Sequence, residues 1–154
     1  MPLYQNNNSV LVVQDQKTSG SNGGTSTTGV NTRALNFIQY NTINGSGVSA
    51  NQVTLPAGVY IVTACAPAFQ ANNHRVYLYN TTDLTYDILG DSTYTSGTAV
   101  SGISSLKGTI SISGTKIFEL RHYISNGVAT NGLGVAATSG QNEVYAQAEF
   151  IKIG

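Results

Sequence analysis

Along this chain, runs of strand length rich in apolar residues alternate with polar, turn-forming stretches. SVLVVQDQ (9–16), HRVYLYN (74–80), KGTISISG (107–114), TKIFELRHYI (115–124) and EVYAQAEFIKI (143–153) are all rich in β-branched and aromatic residues. Such residues favour a pleated strand, whose side chains alternate between two faces. RALNFIQYNTI (33–43) and LTYDILG (84–90) have the same composition. Between these runs stand NGSG, NTTD, GDSTYTSG, SNG and TSGQN, whose residues supply turns. No window of ten or more residues carries a helical period with caps. The pattern predicts an all-β chain folded as an antiparallel sandwich or barrel.

One stretch stands apart from the others. In TLPAGVYIVTACAPAF (54–69), Pro56 and Gly58 form a turn, after which residues 59–69 contain neither a charge nor a glycine. Val, Ile, Thr and Tyr favour a strand here, with Pro67 predicted to close it. Alternation puts Val59, Ile61, Thr63 and Cys65 on one face, and Tyr60, Val62 and Ala64 on the other. Neither face is polar, yet a two-sheet domain buries only one of them in its own core. A strand of this kind is predicted to be buried twice, once at home and once against a second subunit. A loop of the same chain covering that face is the alternative.

QKTSGSNGGTSTTGVNT (16–32) is almost devoid of apolar residues beyond Val30. It reads as a long flexible segment held either on its own fold or on a neighbour. With VLVV (10–13) before it, residues 1–32 are predicted to form an N-terminal arm, and 33–154 the β-sandwich domain. Val10, Leu11, Val12 and Val13 are the arm's candidate anchor, a strand free to add to the edge of an adjacent protein.

Composition narrows the partners. The chain has 154 residues, enough for one domain. Only 9% are charged and the net charge is zero, so no basic face exists to hold phosphates, and nucleic acid is excluded as a partner. Solubility falls to Asn, Thr, Ser and Gly, a surface common outside cells and on virus particles. The single cysteine rules out an internal disulfide. No apolar run reaches the length of a helical membrane span, so no membrane insertion is expected. MPLYQNNNSV lacks a basic stretch followed by an apolar core, so synthesis in a cytoplasm without a secretory leader is predicted.

Candidate chemistry is sparse. Cys65 sits mid-strand among small apolar neighbours and reads as an inert core thiol. His74 and His122 have no spacing that brings two imidazoles onto one metal and read as structural or surface groups. Asp83, Asp87 and Asp91 recur four apart, which stacks carboxylates on a helix but scatters them in strands and turns; loop-bound calcium is the alternative. Asn80-Thr81-Thr82 fits a glycosylation acceptor. Glu119, Glu143 and Glu149 are the only glutamates, and nothing pairs two of them across a groove as glycan hydrolysis requires. No catalytic residue, metal or cofactor is predicted.

L-P-A-G-V-Y-I-V, V-Y-L-Y-N and the closing V-Y-A-Q-A-E-F-I-K-I, spanning residues 34–153, resemble the jelly-roll domain of the complement globular-head and tumour-necrosis-factor superfamily. Gly58 and Tyr60 match its Gly-x-Tyr on a central strand; Gly114-Thr115 stands where it has a Gly-Asp pair. The resemblance implies a TNF-like jelly roll and a homotrimer, with Val59, Ile61 and Tyr145 the predicted subunit contacts. V-Q-D-Q-K-T-S-G, R-A-L-N, A-P-A, H-R-V-Y-L-Y-N-T-T-D, F-E-L-R-H and N-G-L-G-V-A-A, over nearly the whole chain, resemble small virion-surface proteins of tailed bacteriophages. That resemblance implies a non-enzymatic structural protein on the virion, made in the host cytoplasm. Its expected role is a trimeric capsid decoration (cement) protein bound to the major capsid protein or another virion protein. The alternative is a tail-fibre or receptor-binding tip that recognises host-surface glycans or proteins.

Overall fold

The structure, a computed structural model, describes residues 8–154, and no helix occurs among them. Twelve strands follow one another: β1 (Ser9–Lys17), β2 (Gly29–Thr32), β3 (Phe37–Asn41), β4 (Gly47–Ser49), β5 (Gln52–Leu55), β6 (Gly58–Phe69), β7 (Asn72–Asn80), β8 (Thr85–Leu89), β9 (Thr93–Thr95), β10 (Ser101–Ile112), β11 (Lys116–Ile124) and β12 (Glu143–Lys152). They form a five-stranded sheet ordered β10-β6-β12-β1-β3, and a seven-stranded sheet in which β4-β5-β11-β7-β8 run side by side with β2 added on β11 and β9 on β7. Every pairing is antiparallel. This is a jelly-roll sandwich.

The core follows the alternation read from the sequence. Leu11, Val13, Tyr60, Val62, Ala64, Ala146, Ala148 and Phe150 face inward from the five-stranded sheet. Val53, Leu55, Val76, Leu78, Phe118 and Leu120 meet them from the other. Each large side chain buried here contributes roughly 1.5–3 kcal/mol. Tyr60 reaches back to donate its hydroxyl hydrogen to the Pro56 carbonyl at 2.7 Å, so the turn before β6 is tied to the strand it launches. Gly58 lies so close to its neighbours that a Cβ there meets the Gly154 carbonyl oxygen at 2.8 Å.

Several expectations change, and one left open is decided. Of the predicted arm, residues 1–7 lie outside the described residues, and Val10–Val13 are not an arm. β1 lies inside the five-stranded sheet between β12 and β3, with Leu11 and Val13 fully buried. The boundary at 32/33 therefore cuts one continuous core. The glycine-rich segment is pinned on its own chain: Gly23 N–H donates to Gly134 O at 2.8 Å, Ser26 N–H to Val128 O at 2.9 Å, and Leu133 N–H returns to Gly24 O at 3.0 Å. The predicted strand 33–43 is a crossing. β2 pairs with β11 in one sheet and β3 with β1 in the other, and residues 33–36 carry the chain between them, burying Arg33 and Leu35.

Nor does Pro67 close its strand; β6 runs on to Phe69. Phe69 N–H points away from β10, to Gly132 O, and residue 67 shares that orientation. The β12 ladder on that side ends at Cys65, so the proline's missing N–H has no strand partner to lose. β4 and β5, absent from the sequence reading, form a hairpin whose two central residues, Ala50 and Asn51, both have positive φ (49° and 64°), the geometry of a type I′ turn.

Candidate functional site

Three places concentrate polar or exposed apolar groups. The first is buried at the crossing between the sheets. Arg33, fully buried, donates through Nη1 to Pro67 O (2.9 Å) and through Nη2 to Leu133 O (2.7 Å). Nη1 also lies 3.4 Å from His122 Nδ1, and His122 Nε2 lies 3.0 Å from His74 Nδ1. A guanidinium can only donate, so His122 accepts at Nδ1 and carries its hydrogen on Nε2, which it gives to His74 Nδ1. His74 then holds its own hydrogen on Nε2, which has no partner among the described residues; Arg33 Nε has none either.

Burial, with the charge of Arg33 and the proximity of His74, pushes His122 down to about 2. Burial and Arg33 lower His74 as well. Arg33 is pulled down to about 10 by burial, against the opposing influence of Asp15 and Cys65, and so remains a cation at neutral pH beside two neutral imidazoles. The two histidines, far apart in sequence, are thus hydrogen-bonded to each other rather than separate groups. Both are closed to solvent, so no substrate reaches them, and they tie β7 and β11 to the crossing.

The second place is the outer face of the five-stranded sheet. The register sets Val10, Ile151, Ile61 and Thr109 in one row across it, and Tyr40, Val12, Glu149, Thr63 and Lys107 in the next. Val59, Ile61, Cys65 and Ile151 are half-buried; Tyr40 is exposed, and Ile103 is 62% exposed. Cys65 therefore lies on this face rather than in the core, its thiol pushed up by burial and eased back by Arg33.

Tyr145, predicted as a subunit contact, is buried by its own chain. Its hydroxyl donates to Ser21 O at 2.7 Å and its ring fills the space above Gly134, which has φ +141° and no Cβ. Beside it the Glu143 carboxylate accepts the backbone N–H groups of Gly20, Ala137 and Thr138, each at 2.9 Å. Those three bonds hold it below the usual carboxylate range.

The third place is the outer face of the seven-stranded sheet. Tyr77 and Tyr79 project from β7 and Tyr86 from β8. Tyr86 meets both rings edge-on, at centroid distances of 5.0 and 4.9 Å. The Arg121 guanidinium lies 3.4 Å from the Tyr79 ring centre and pairs with Glu119 at 2.9 Å. Burial alone would raise Glu119, but hydrogen bonds from Gln52, Arg121 and Thr32 and the charge of Arg121 outweigh it and hold it low. Arg75 donates Nε to Gly90 O at 2.6 Å and lies 5.8 Å from the Tyr77 ring centre. No carboxylate lies within 4 Å of it among the described residues.

The remaining acids are occupied locally. Asn80, 2% exposed, donates to both Asp83 (3.0 Å) and Asp87 (3.2 Å), and its Oδ1 accepts from the N–H of Thr82 and of Asp83. Lys116 binds Asp83. Asp91 stands apart from this knot. Glu119 and Glu149 lie on opposite faces of the sandwich and Glu143 in the loop cluster, so no two glutamates flank a groove.

No family model matches the chain, and no curated protein sequence matches it. Solved structures do. Murine APRIL at pH 5.0 superposes with a TM-score of 0.62 at 12% identity, over 94% of this chain and 98% of that one. The globular domain of zebrafish complement 1qA protein gives 0.59 at 15% identity, over 96% and 98%. The identities are too low to carry function across. The likeness is one of fold, and the chain has the TNF-like, complement-globular-head jelly roll.

Proposed function

We propose that this chain is a non-enzymatic homotrimeric structural protein of a tailed-bacteriophage virion, acting as a decoration protein on the head. The observation that carries the trimer is the outer face of the five-stranded sheet, where Val10, Val12, Tyr40, Val59, Ile61, Ile103 and Ile151 form an apolar patch, shared with uncharged Gln14, Thr63, Ser105, Thr109 and Gln147 and with only two charges, Glu149 and Lys107. In a chain with so few charges this patch is the natural place for a second copy. The non-enzymatic reading rests on the closed histidine pair, the half-buried thiol and the scattered glutamates; the virion setting rests on the sequence resemblance. A receptor-binding tip is the second reading, favoured by the tyrosine–arginine face of the other sheet. With β1 inside the fold, attachment to the particle falls to the trimer's surface rather than to an arm.

Light scattering on the purified protein is expected to give about three times the chain mass, because apolar area of this kind drives association. Ile61→Asp, which alters the outer face and not the core, is expected to leave a folded monomer. A stable wild-type monomer at micromolar concentration overturns the trimer, and a trimer indifferent to Ile61→Asp overturns the placement of its contact on this face. Cryo-electron microscopy of particles carrying the protein separates the two settings, since decoration requires many copies over the head and a tip only a few at the tail.

A further inference from the structure

Arg75 stands between two clefts on the outer face of the seven-stranded sheet. One, of about 360 Å³, is lined by Val30, Arg75, Tyr77, Tyr86 and Leu89. The other, of about 330 Å³, is lined by Asn73, Arg75, Tyr77, Ser92, Thr93 and Tyr123, together with the almost wholly buried His74. The first is aromatic and aliphatic; the second is rich in amide and hydroxyl groups. Arg75 spends Nε on Gly90 O and leaves both Nη groups without a partner among the described residues. Arg121, the other cation on the face, is already neutralised by Glu119.

We propose that this face binds a short saccharide bearing a single carboxylate, of the hexuronic or sialic acid class. One sugar ring packs its apolar face into the corner that Tyr77 and Tyr86 make at 65°, and the adjoining ring hydrogen-bonds along Asn73, Ser92 and Thr93. The carboxylate meets the two free Nη groups of Arg75, a planar fork matched to two carboxylate oxygens. Charge selects this ligand. One unneutralised guanidinium complements one anionic group, and a polyanion finds no second cation to hold it. The edge-to-face packing of Tyr86 on Tyr77 and Tyr79, and of Arg121 on Tyr79, fixes the platform before any ligand arrives.

The inference deepens the receptor-binding reading for its biological setting, while the site itself lies within one chain. It faces away from the proposed subunit contact, so a trimer presents three copies.

The test is a titration of the full chain, followed by two-dimensional amide NMR, with 3′-sialyllactose and with a glucuronate-containing disaccharide. Lactose and an acidic tripeptide are the controls. At least one carboxylated saccharide is expected to bind with a Kd of about 1 mM, shifting amides of β7 and β8, with lactose about tenfold weaker. Arg75→Gln is expected to abolish that preference, Arg75→Lys to keep part of it, and Tyr86→Ala, on an exposed strand, to weaken both sugars. The proposal is overturned by the absence of saturable shifts with either carboxylated probe up to about 20 mM. It is equally overturned if lactose binds as well as they do, if the acidic tripeptide binds as tightly, or if Arg75→Gln binds unchanged. Light scattering on the same samples keeps the two proposals apart: a trimer that binds no saccharide sinks this one alone, and a monomer that binds sinks only the trimer.

Discussion

Lowering the pH from about 7 to about 5 is expected to destabilise this protein through its two histidines. His122 ionises at its ordinary value of 6.5 when unfolded but only at about 2 in the folded chain. Both histidines have depressed folded values, so their stabilising contribution is complete above pH 6.5 and is lost as the pH falls, because the unfolded chain takes up protons that the folded chain refuses. Each unit below 6.5 costs about 1.4 kcal/mol per such histidine. His122 alone therefore removes about 2 kcal/mol at pH 5, and His74, lowered by the same burial, adds to it in the same direction. The urea midpoint falls by about 1 M for a denaturant slope of roughly 2 kcal/mol per molar.

The assay is urea unfolding at fixed protein concentration across this interval, on the wild type and on the His74→Gln, His122→Gln double variant. The window is chosen because carboxylates titrate mainly below it. The double variant is expected to be less stable at pH 7 yet nearly flat with pH. A wild-type midpoint that does not move, or one that moves equally in the double variant, refutes the account of the buried pair.

Other outcomes follow from single contacts. Deleting residues 1–17 removes a central strand and is expected to leave an unfolded or aggregated chain by circular dichroism, while Leu11→Ala costs about 2–5 kcal/mol in urea unfolding; a folded deletion variant would contradict the placement of β1. Gly134→Ala adds a Cβ into the Tyr145 ring at φ +141° and is expected to cost about 1–3 kcal/mol, against almost nothing for Gly47→Ala, where a Cβ meets open space. Glu143→Gln weakens three backbone hydrogen bonds and lowers the melting temperature at neutral pH. Because the folded carboxyl is held below its ordinary value, the gap from wild type closes as the pH falls through that lowered value. On the proposed trimer, Cys65 is expected to react slowly with a thiol reagent in the wild type and faster in Ile61→Asp, and equal rates would place it outside the contact.

The strands that could be read in the sequence are those with one wet face. KIFELRHYI alternates because one side meets the core and the other meets water or half-exposed neighbours, EVYAQAEFIK does so apart from the consecutive buried pair Tyr145 and Ala146 at a register shift, and both strands fall within a residue or two of their predicted bounds. β10 was legible only in its second half. SGISS, at its start, looks like a turn because serine and glycine carry no hydrophobic period, although Ser104 is buried and donates to Asp91 O. β2 and β3 merged into one predicted strand because a jump between sheets leaves no mark when the residues on both sides favour strands. That Val59 and Ile61 share a face was legible from alternation alone, but not which face points outward, because neither is polar. Tyr145 was not, because the loop that covers it comes from residues 21 and 134, and hydrophobicity cannot say which chain provides a cover. The histidine pair was invisible for a related reason: register aligns His122 with Val76 and Ile124 with His74, and nothing local announces that alignment.

β12 is hydrogen-bonded to β1 on one side and β6 on the other, with Ser9 opposite Lys152 at one end of the ladder. Until residues 143–152 have left the ribosome, the five-stranded sheet is two separate ribbons, β1 with β3 and β6 with β10, each showing an open edge. The face that bears Ile61 and Ile151 does not yet exist, so the surface proposed to meet a second copy is completed only when β12 takes its place. Closure depends on joining strands more than a hundred residues apart, a search that slows folding toward milliseconds or seconds and leaves two sticky edges waiting. Termination before residue 143 is thus more hazardous than most substitutions, because it releases both ribbons without the strand that seals them.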